Sequence, residues 1–318
     1  MTNFGASIVS IKLPSKENGL VDVVLGFDDF QGYANKSNPY FGVINGRVAN
    51  RISNGTFKLD GQKYSLAQND QQFGNASVHG GVKGFDKVLW KADIDHQVNA
   101  VTFSYLSPDG EEGYPGDLIT NVTYKLTQDN TLTLNMKAMT SKTTLANLSN
   151  HAFFNLAGHD SGSKGLKEHL VIVNADLYTP TSSDLIPTGE IRDVSGTKFD
   201  LRKPRKLGDI MGKEGYDVNF SINGNPEELR LVCRFEHPET QRALECFSDQ
   251  PGLEFYTGNY LPTDGSLKGK DGCTYEKHGG FVLETQKYPD AINKGFDDAG
   301  ILRPGQVYHH QVIFKFFF

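Results

Sequence analysis

The sequence predicts an all-β protein, a sandwich or a barrel, on three observations. Its apolar residues recur mostly at two-residue spacing, the repeat of a half-buried strand. Its 34 glycines in 318 residues exceed the ~7% of average usage and are dispersed without a repeat, which marks many turns. No segment sustains a helical period over several turns, so helices are expected to be few and short. At about 150 residues per domain the length suggests two domains, but all-β units often run to about 200–250 residues or more. The loosest stretch, Ser161-Gly-Ser-Lys-Gly165, is too short for a linker, and one domain over residues 1–318 is expected.

In chain order, Phe57-Lys-Leu-Asp-Gly-Gln-Lys-Tyr64 predicts a small hairpin around Asp60-Gly61, a pair that tolerates positive φ. Val101–Leu106 reads as a strand. Leu118–Leu126 and Thr131–Met139 alternate along much of their length around Gln128-Asp-Asn130, which predicts a longer hairpin. Further strands are expected at Leu170–Val173, Leu231–Phe235, Arg242–Phe247, Phe281–Thr285 and Val307–Phe316. Adjacent His309 and His310 would point to opposite faces of the last strand, which argues against a paired metal site.

Composition narrows the function. With 32 Lys and Arg against 38 Asp and Glu, a net charge of −6 speaks against a nucleic-acid partner. No apolar run approaches the ~18 residues of a membrane span. The N-terminal residues lack a signal peptide's charged and apolar blocks. Cys233, Cys246 and Cys273 fit neither a disulfide framework nor a zinc ribbon; reduced thiols and a cytoplasmic location are expected. Phosphate-loop, dinucleotide and His-Glu-x-x-His patterns are all missing.

The remaining chemistry sits in segments that mix Gly with Asn, Arg, His, carboxylates and aromatic rings. Such side chains suit a polyhydroxyl ligand, whose hydroxyls both donate and accept and whose C–H faces are apolar. The segments are Asn45-Gly-Arg-Val-Ala-Asn-Arg-Ile52, His79-Gly-Gly-Val-Lys-Gly-Phe-Asp-Lys87, Asp109-Gly-Glu-Glu-Gly-Tyr-Pro-Gly116, Asn147-Leu-Ser-Asn-His-Ala-Phe-Phe-Asn-Leu156, Gly215-Tyr-Asp-Val-Asn-Phe220, Pro251–Gly258 and Leu283-Glu-Thr-Gln286. Together, in this order, they resemble the aldose 1-epimerase (galactose mutarotase) family across essentially the whole chain.

The resemblance implies a large β-sandwich of the galactose mutarotase-like (supersandwich) type and an isomerase that interconverts the α and β anomers of free hexoses. By the same resemblance Glu284 is the general base and His151 the general acid. His79, Arg51, Asn50, Asp217 and Glu254 bind the sugar. No cofactor or metal is implied. The implied partner is a monosaccharide such as D-galactose or D-glucose, with neither nucleic acid nor membrane, in a monomer or homodimer.

One position departs from the family: Glu254 stands where Gln is common. Gln donates and accepts, whereas ionised Glu only accepts, so a changed pH dependence is expected. The departure leaves two rivals open, a non-catalytic sugar-binding protein and a glycoside hydrolase using Glu284 and Glu254. Arg47 reads either as a sugar ligand or as a structural arginine bonding loop carbonyls. Asp109–Gly116 reads as a structural loop at the cleft rim, from which Tyr114 is expected to reach the sugar.

Overall fold

The computed structural model describes residues 1–16 and 19–318. Nine antiparallel strands form the larger sheet. Their order across it is Arg205–Lys206, Leu170–Val173, Arg230–His237, Arg242–Ser248, Tyr308–Phe317, Thr131–Thr140, Leu118–Leu126, Ala100–Ser107 and Lys91–Asp95. The second sheet has six, ordered Phe153–Phe154, Phe281–Gln286, Gly252–Tyr256, Asp217–Ser221, Leu177–Thr179 and Arg192–Asp193. Four short helices and several two-stranded ribbons complete the described residues.

Every strand expected from periodicity is present, within one or two residues at its ends. In the hairpin Leu118–Leu126 with Thr131–Thr140, alternate residues from Leu118 to Tyr124 are buried and their neighbours are not. At Asp60-Gly61 both residues take positive φ, +49° and +81°, the conformation a two-residue hairpin turn needs. The Ser161–Gly165 stretch opens a short helix, Gly162–Lys167. His309 is half-exposed beside Asp249, whereas His310 is buried and bonds Thr285 Oγ1 at 2.8 Å, on opposite faces as alternation requires. The three cysteines are free thiols.

Periodicity missed the strands Asp217–Ser221 and Gly252–Tyr256. Four of the five residues in Gly252–Tyr256 are buried, so no polar-out pattern shows. One side of this sheet packs on the core: Phe235 of the larger sheet stacks on Phe281 at 4.3 Å and meets Phe255 edge-on at 5.2 Å. The other side is the floor of a cleft. Alternation therefore sends Leu253, Phe255 and Leu283 inward and Glu254 and Glu284 to the cleft.

The cleft wall is stapled by Arg47, which is buried. Its guanidinium donates to Ser107 Oγ (2.8 Å) and to the carbonyls of Ser107, Pro108, Pro115 and Gly116 (2.8–3.0 Å). Of the two readings the sequence left open, the structural one describes this arginine. Glu112 of the same acidic loop accepts from the backbone of Val82 and Lys83, fixing the segment that carries His79. Tyr114 corrects an expectation: it is buried with Val48, Ile52 and Phe57 and does not line the cleft. Its ring has more apolar area to bury there than at a wet rim.

Replacing Arg47 orphans several buried carbonyls at once. Arg47→Ala is expected to lower unfolding free energy by about 3 kcal/mol or more, the scale of breaking a buried charged network. Denaturant titration checks this; a loss under about 0.5 kcal/mol, the range of ordinary surface substitutions, contradicts it.

Candidate active site

The six-stranded sheet places the acidic groups by register alone. Glu284 lies opposite Glu254, and Glu254 opposite Asn219, in one row across three strands. Asp217 lies opposite Tyr256 in the next row, a diagonal neighbour of Glu254. Above this floor, Ser149–Asn150 pairs with Ile44–Asn45. His151 is then clamped by its backbone, its N–H on the Val43 carbonyl (2.8 Å) and its carbonyl accepting from Gly42 (3.0 Å).

The opposite wall is a ribbon in which Arg51 pairs with Val78. Asn50 and His79 flank it, both at positive φ, +60° and +52°. Such strain is uncommon outside glycine and clusters at functional sites. Two backbone-anchored bonds lock it: His79 N–H to the Asn50 carbonyl (3.1 Å) and Asn50 N–H to His79 Nδ1 (3.2 Å). Gly80 follows at φ +91°, where an added Cβ would lie 1.8 Å from the Gly46 carbonyl oxygen, so only glycine fits.

The Asn50 bond also fixes a tautomer. His79 Nδ1 accepts, so the proton of the neutral ring lies on Nε2. Burial is the main force holding this imidazole neutral, with His151, Arg51 and Lys87 adding to it. His79, His151 and Glu284 offer donor atoms within 4.8 Å of one another, a spacing that could hold a metal ion. A ring whose Nε2 carries the proton is a hydrogen-bond donor there and a poor ligand, so the chemistry of this set fits a sugar oxygen better than a cation.

All seven residues singled out in the sequence line one cleft of about 240 Å³: Asn50, Arg51, His79, His151, Asp217, Glu254 and Glu284. Its lining also includes Tyr40, Asp70, Phe153, Tyr256 and Tyr260. His151 Nε2 stands 3.6 Å from Glu284 Oε2, and both side chains are almost fully buried. Asn45 Nδ2 donates to the other carboxyl oxygen, Oε1, at 3.0 Å and so aims Oε2 at the imidazole. Tyr40 packs against both histidines, 4.7 Å from His79 and 5.6 Å from His151. Arg51 Nε is held by Asp70 Oδ2 at 2.7 Å.

Burial dominates the electrostatics. It pushes the Glu284 carboxyl up to about 8; the Asn45 hydrogen bond and Arg51 pull it down, and Asp217 pushes it up. Burial drives His151 down to about 3, against the opposing backbone carbonyls of His151 and Tyr40. At neutral pH the pair thus holds one proton, and these opposed shifts leave it on the carboxyl. A larger hollow of about 830 Å³ lies elsewhere, but its Lys12, Asp95 and His96 are all exposed, and its buried Tyr124 spends its hydroxyl on the Ala6 carbonyl. It lacks the converging buried groups that acid–base chemistry requires.

Sequence reasoning missed Asn45, Tyr40 and Asp70. Asn45 opens a segment already singled out, which was the available signal; its bond to Glu284 required the fold. Tyr40 and Asp70 lie in loops whose sequence carries no comparable pattern.

Comparison with known proteins agrees with this geometry. The family model described as aldose 1-epimerase matches residues 1–315. The chain is 49% identical to the galactose mutarotase of Bos taurus and 47% identical to that of Homo sapiens, over 99% of this chain and 89% of each relative. Among solved structures, an aldose epimerase homologue from C. elegans superposes with a TM-score of 0.88 at 30% identity, covering 99% of this chain and 94% of that one. A galactose 1-epimerase from Lactobacillus acidophilus gives 0.83 at 26% identity, covering 99% and 89%. The chain belongs to the aldose 1-epimerase family.

Proposed function

We propose that the chain is a single catalytic domain, a mutarotase that interconverts the anomers of free hexoses such as D-galactose and D-glucose through Glu284 and His151. The observation that carries this is the buried carboxyl–imidazole pair, 3.6 Å apart, in a cleft of about 240 Å³. That volume lies below the ~300–1,000 Å³ of common ligand sites and suits one monosaccharide.

Ring opening needs one group to take the C1 hydroxyl proton while another protonates the ring oxygen. A pair holding a single proton does both. Transfer of that proton from Glu284 to His151 gives a carboxylate and an imidazolium, stabilised by their mutual attraction in a dry site. The carboxylate then takes the C1 hydroxyl proton as the imidazolium gives its own to the ring oxygen. Rotation about C1–C2 presents the other carbonyl face, and the same groups with roles exchanged close the ring. The proton count of the pair is unchanged over the cycle.

The surrounding groups orient the sugar. His79 Nε2–H is placed to donate near the ring oxygen, Arg51 and Asn50 to reach ring hydroxyls, and Asp217 to accept from a hydroxyl far from C1. The hydrolase alternative needs two carboxyl groups flanking a scissile bond. Here Glu284 and Glu254 sit side by side on one sheet face, and Glu254 is bonded to Asn50 Nδ2 at 3.0 Å.

Polarimetry on freshly dissolved α-D-galactose and α-D-glucose is expected to show relaxation accelerated in proportion to protein; no acceleration with either sugar contradicts the assignment. Glu284→Gln and His151→Asn are each expected to lower kcat by about 10²–10⁴-fold, the worth of positioned acid–base groups. Wild-type rates for both variants would remove the pair from the mechanism.

The pair also sets the pH dependence. Above about pH 8, Glu284 loses the pair's only proton and none remains for the ring oxygen, so kcat/KM falls up to tenfold per pH unit. On the acid side the imidazole, lowered to about 3, stays available as proton acceptor, so no loss appears near pH 6.5. Rates corrected for uncatalysed mutarotation test this; an acid limb near 6.5 contradicts it.

A further inference from the structure

Along the cleft floor and the wall beside it, acidic groups outnumber cations. Asp217, Glu254, Glu284 and Asp70 converge there, and the guanidinium of Arg51, whose Nε is already held by Asp70, faces them all. The other titratable groups lining the cleft are the neutral phenols Tyr256 and Tyr260 and, from its walls, Tyr40, His79 and His151. Asp217 and Glu254 are diagonal neighbours on adjacent strands, and both line the same end of the cleft beside Arg51. Two ionised carboxylates side by side at a buried site are both acceptors and only repel, and a single proton between them relieves that repulsion. One of them must carry a proton.

The surroundings say which. Glu254 is the more deeply buried of the two and receives one neutral donor, Asn50 Nδ2 on Oε2. Asp217 is half-buried; burial raises its carboxyl too, but the facing Arg51 guanidinium opposes that rise. Burial, with Asp217 and Glu284 nearby, pushes the Glu254 carboxyl well above the usual carboxylate range. The proton therefore rests on Glu254.

We propose that Asp217 and Glu254 share one proton, Glu254 donating to Asp217, so that the pair holds a sugar hydroxyl as a monoanion and loses that hold in alkali. Removing the proton leaves two facing carboxylates that repel, and Asp217 swings from the position where it accepts the hydroxyl. Glu254 is a positioning residue that acts through Asp217; its acid form supplies the donor that an amide would supply at every pH. The sugar's part in this rests on the mutarotase reading above, whereas the shared proton stands without it.

Glu254→Gln tests both halves, because its amide keeps a donor toward Asp217 but cannot titrate. For wild type, KM for D-galactose is expected to be flat through neutrality and to rise up to tenfold per pH unit in alkali. In Glu254→Gln the alkaline rise in KM should vanish, while any limb due to Glu284 persists. Glu254→Ala should show a raised KM at all pH values. A Glu254→Gln variant that keeps the wild-type rise overturns the proposal. Infrared spectra of the free protein at pH 7 give a readout independent of turnover. Glu254 and Glu284 should each give a carboxylic-acid carbonyl band; the band lost in Glu254→Gln should remain in Glu284→Gln, which loses the other. A spectrum unchanged by Glu254→Gln overturns the shared proton even if mutarotation is present, and loss of the band supports it even if mutarotation is absent.

Discussion

The cleft depends on carboxyl groups that the fold removes from water without giving each a cation. A buried carboxyl can remain charged only if paired, and otherwise keeps its proton. Glu284 meets an imidazole and an amide, and Glu254 meets an amide and another carboxyl, so protons stay in the site at neutral pH. Protons held on buried groups beside a sugar are what anomer exchange requires. The chemistry follows from the sheet, because strand register alone lines up Glu284 and Glu254.

The rest of the molecule holds that floor rigid and closes the walls. Phe235 stacked on Phe281 ties the cleft strands to the nine-stranded sheet. Arg47 and Glu112 tether the loops that carry Asn50, Arg51 and His79, and the strained backbones of Asn50 and His79 persist because they bond one another. The Arg47 and Glu112 contacts lie outside the cleft, and the Asn50–His79 bond in its wall sets the tautomer of His79 and the direction of its proton. Among the described residues no helix is long and apolar enough to cross a membrane.

Much of this was legible in the amino-acid order. Half-buried strands such as Leu118–Leu126 announce themselves by alternation, whereas Gly252–Tyr256 is buried on both faces and shows none. His151 and Glu284 were found through the segments that carry them, and their 3.6 Å approach required the fold. Tyr114 was misplaced because an aromatic ring in a Gly-rich loop reads equally as ligand or as core. The substitution at Glu254 was visible as a departure in sequence. Its partner Asp217, 37 residues earlier, emerged only from register and the diagonal contact between strands. Tyr40 and Asp70 left no trace, since loop residues gain their roles from where the chain happens to return.

The claim beneath all of this is that burial keeps the His151 imidazole neutral and leaves the pair's proton on Glu284 until a sugar arrives. Nitrogen-15 NMR of the histidine rings in the sugar-free protein reads that state directly. His151 is expected to stay neutral from pH 8 down to about 4, consistent with a value lowered to about 3. A His151 ring that gains its second proton near the ordinary 6.5 would contradict the account.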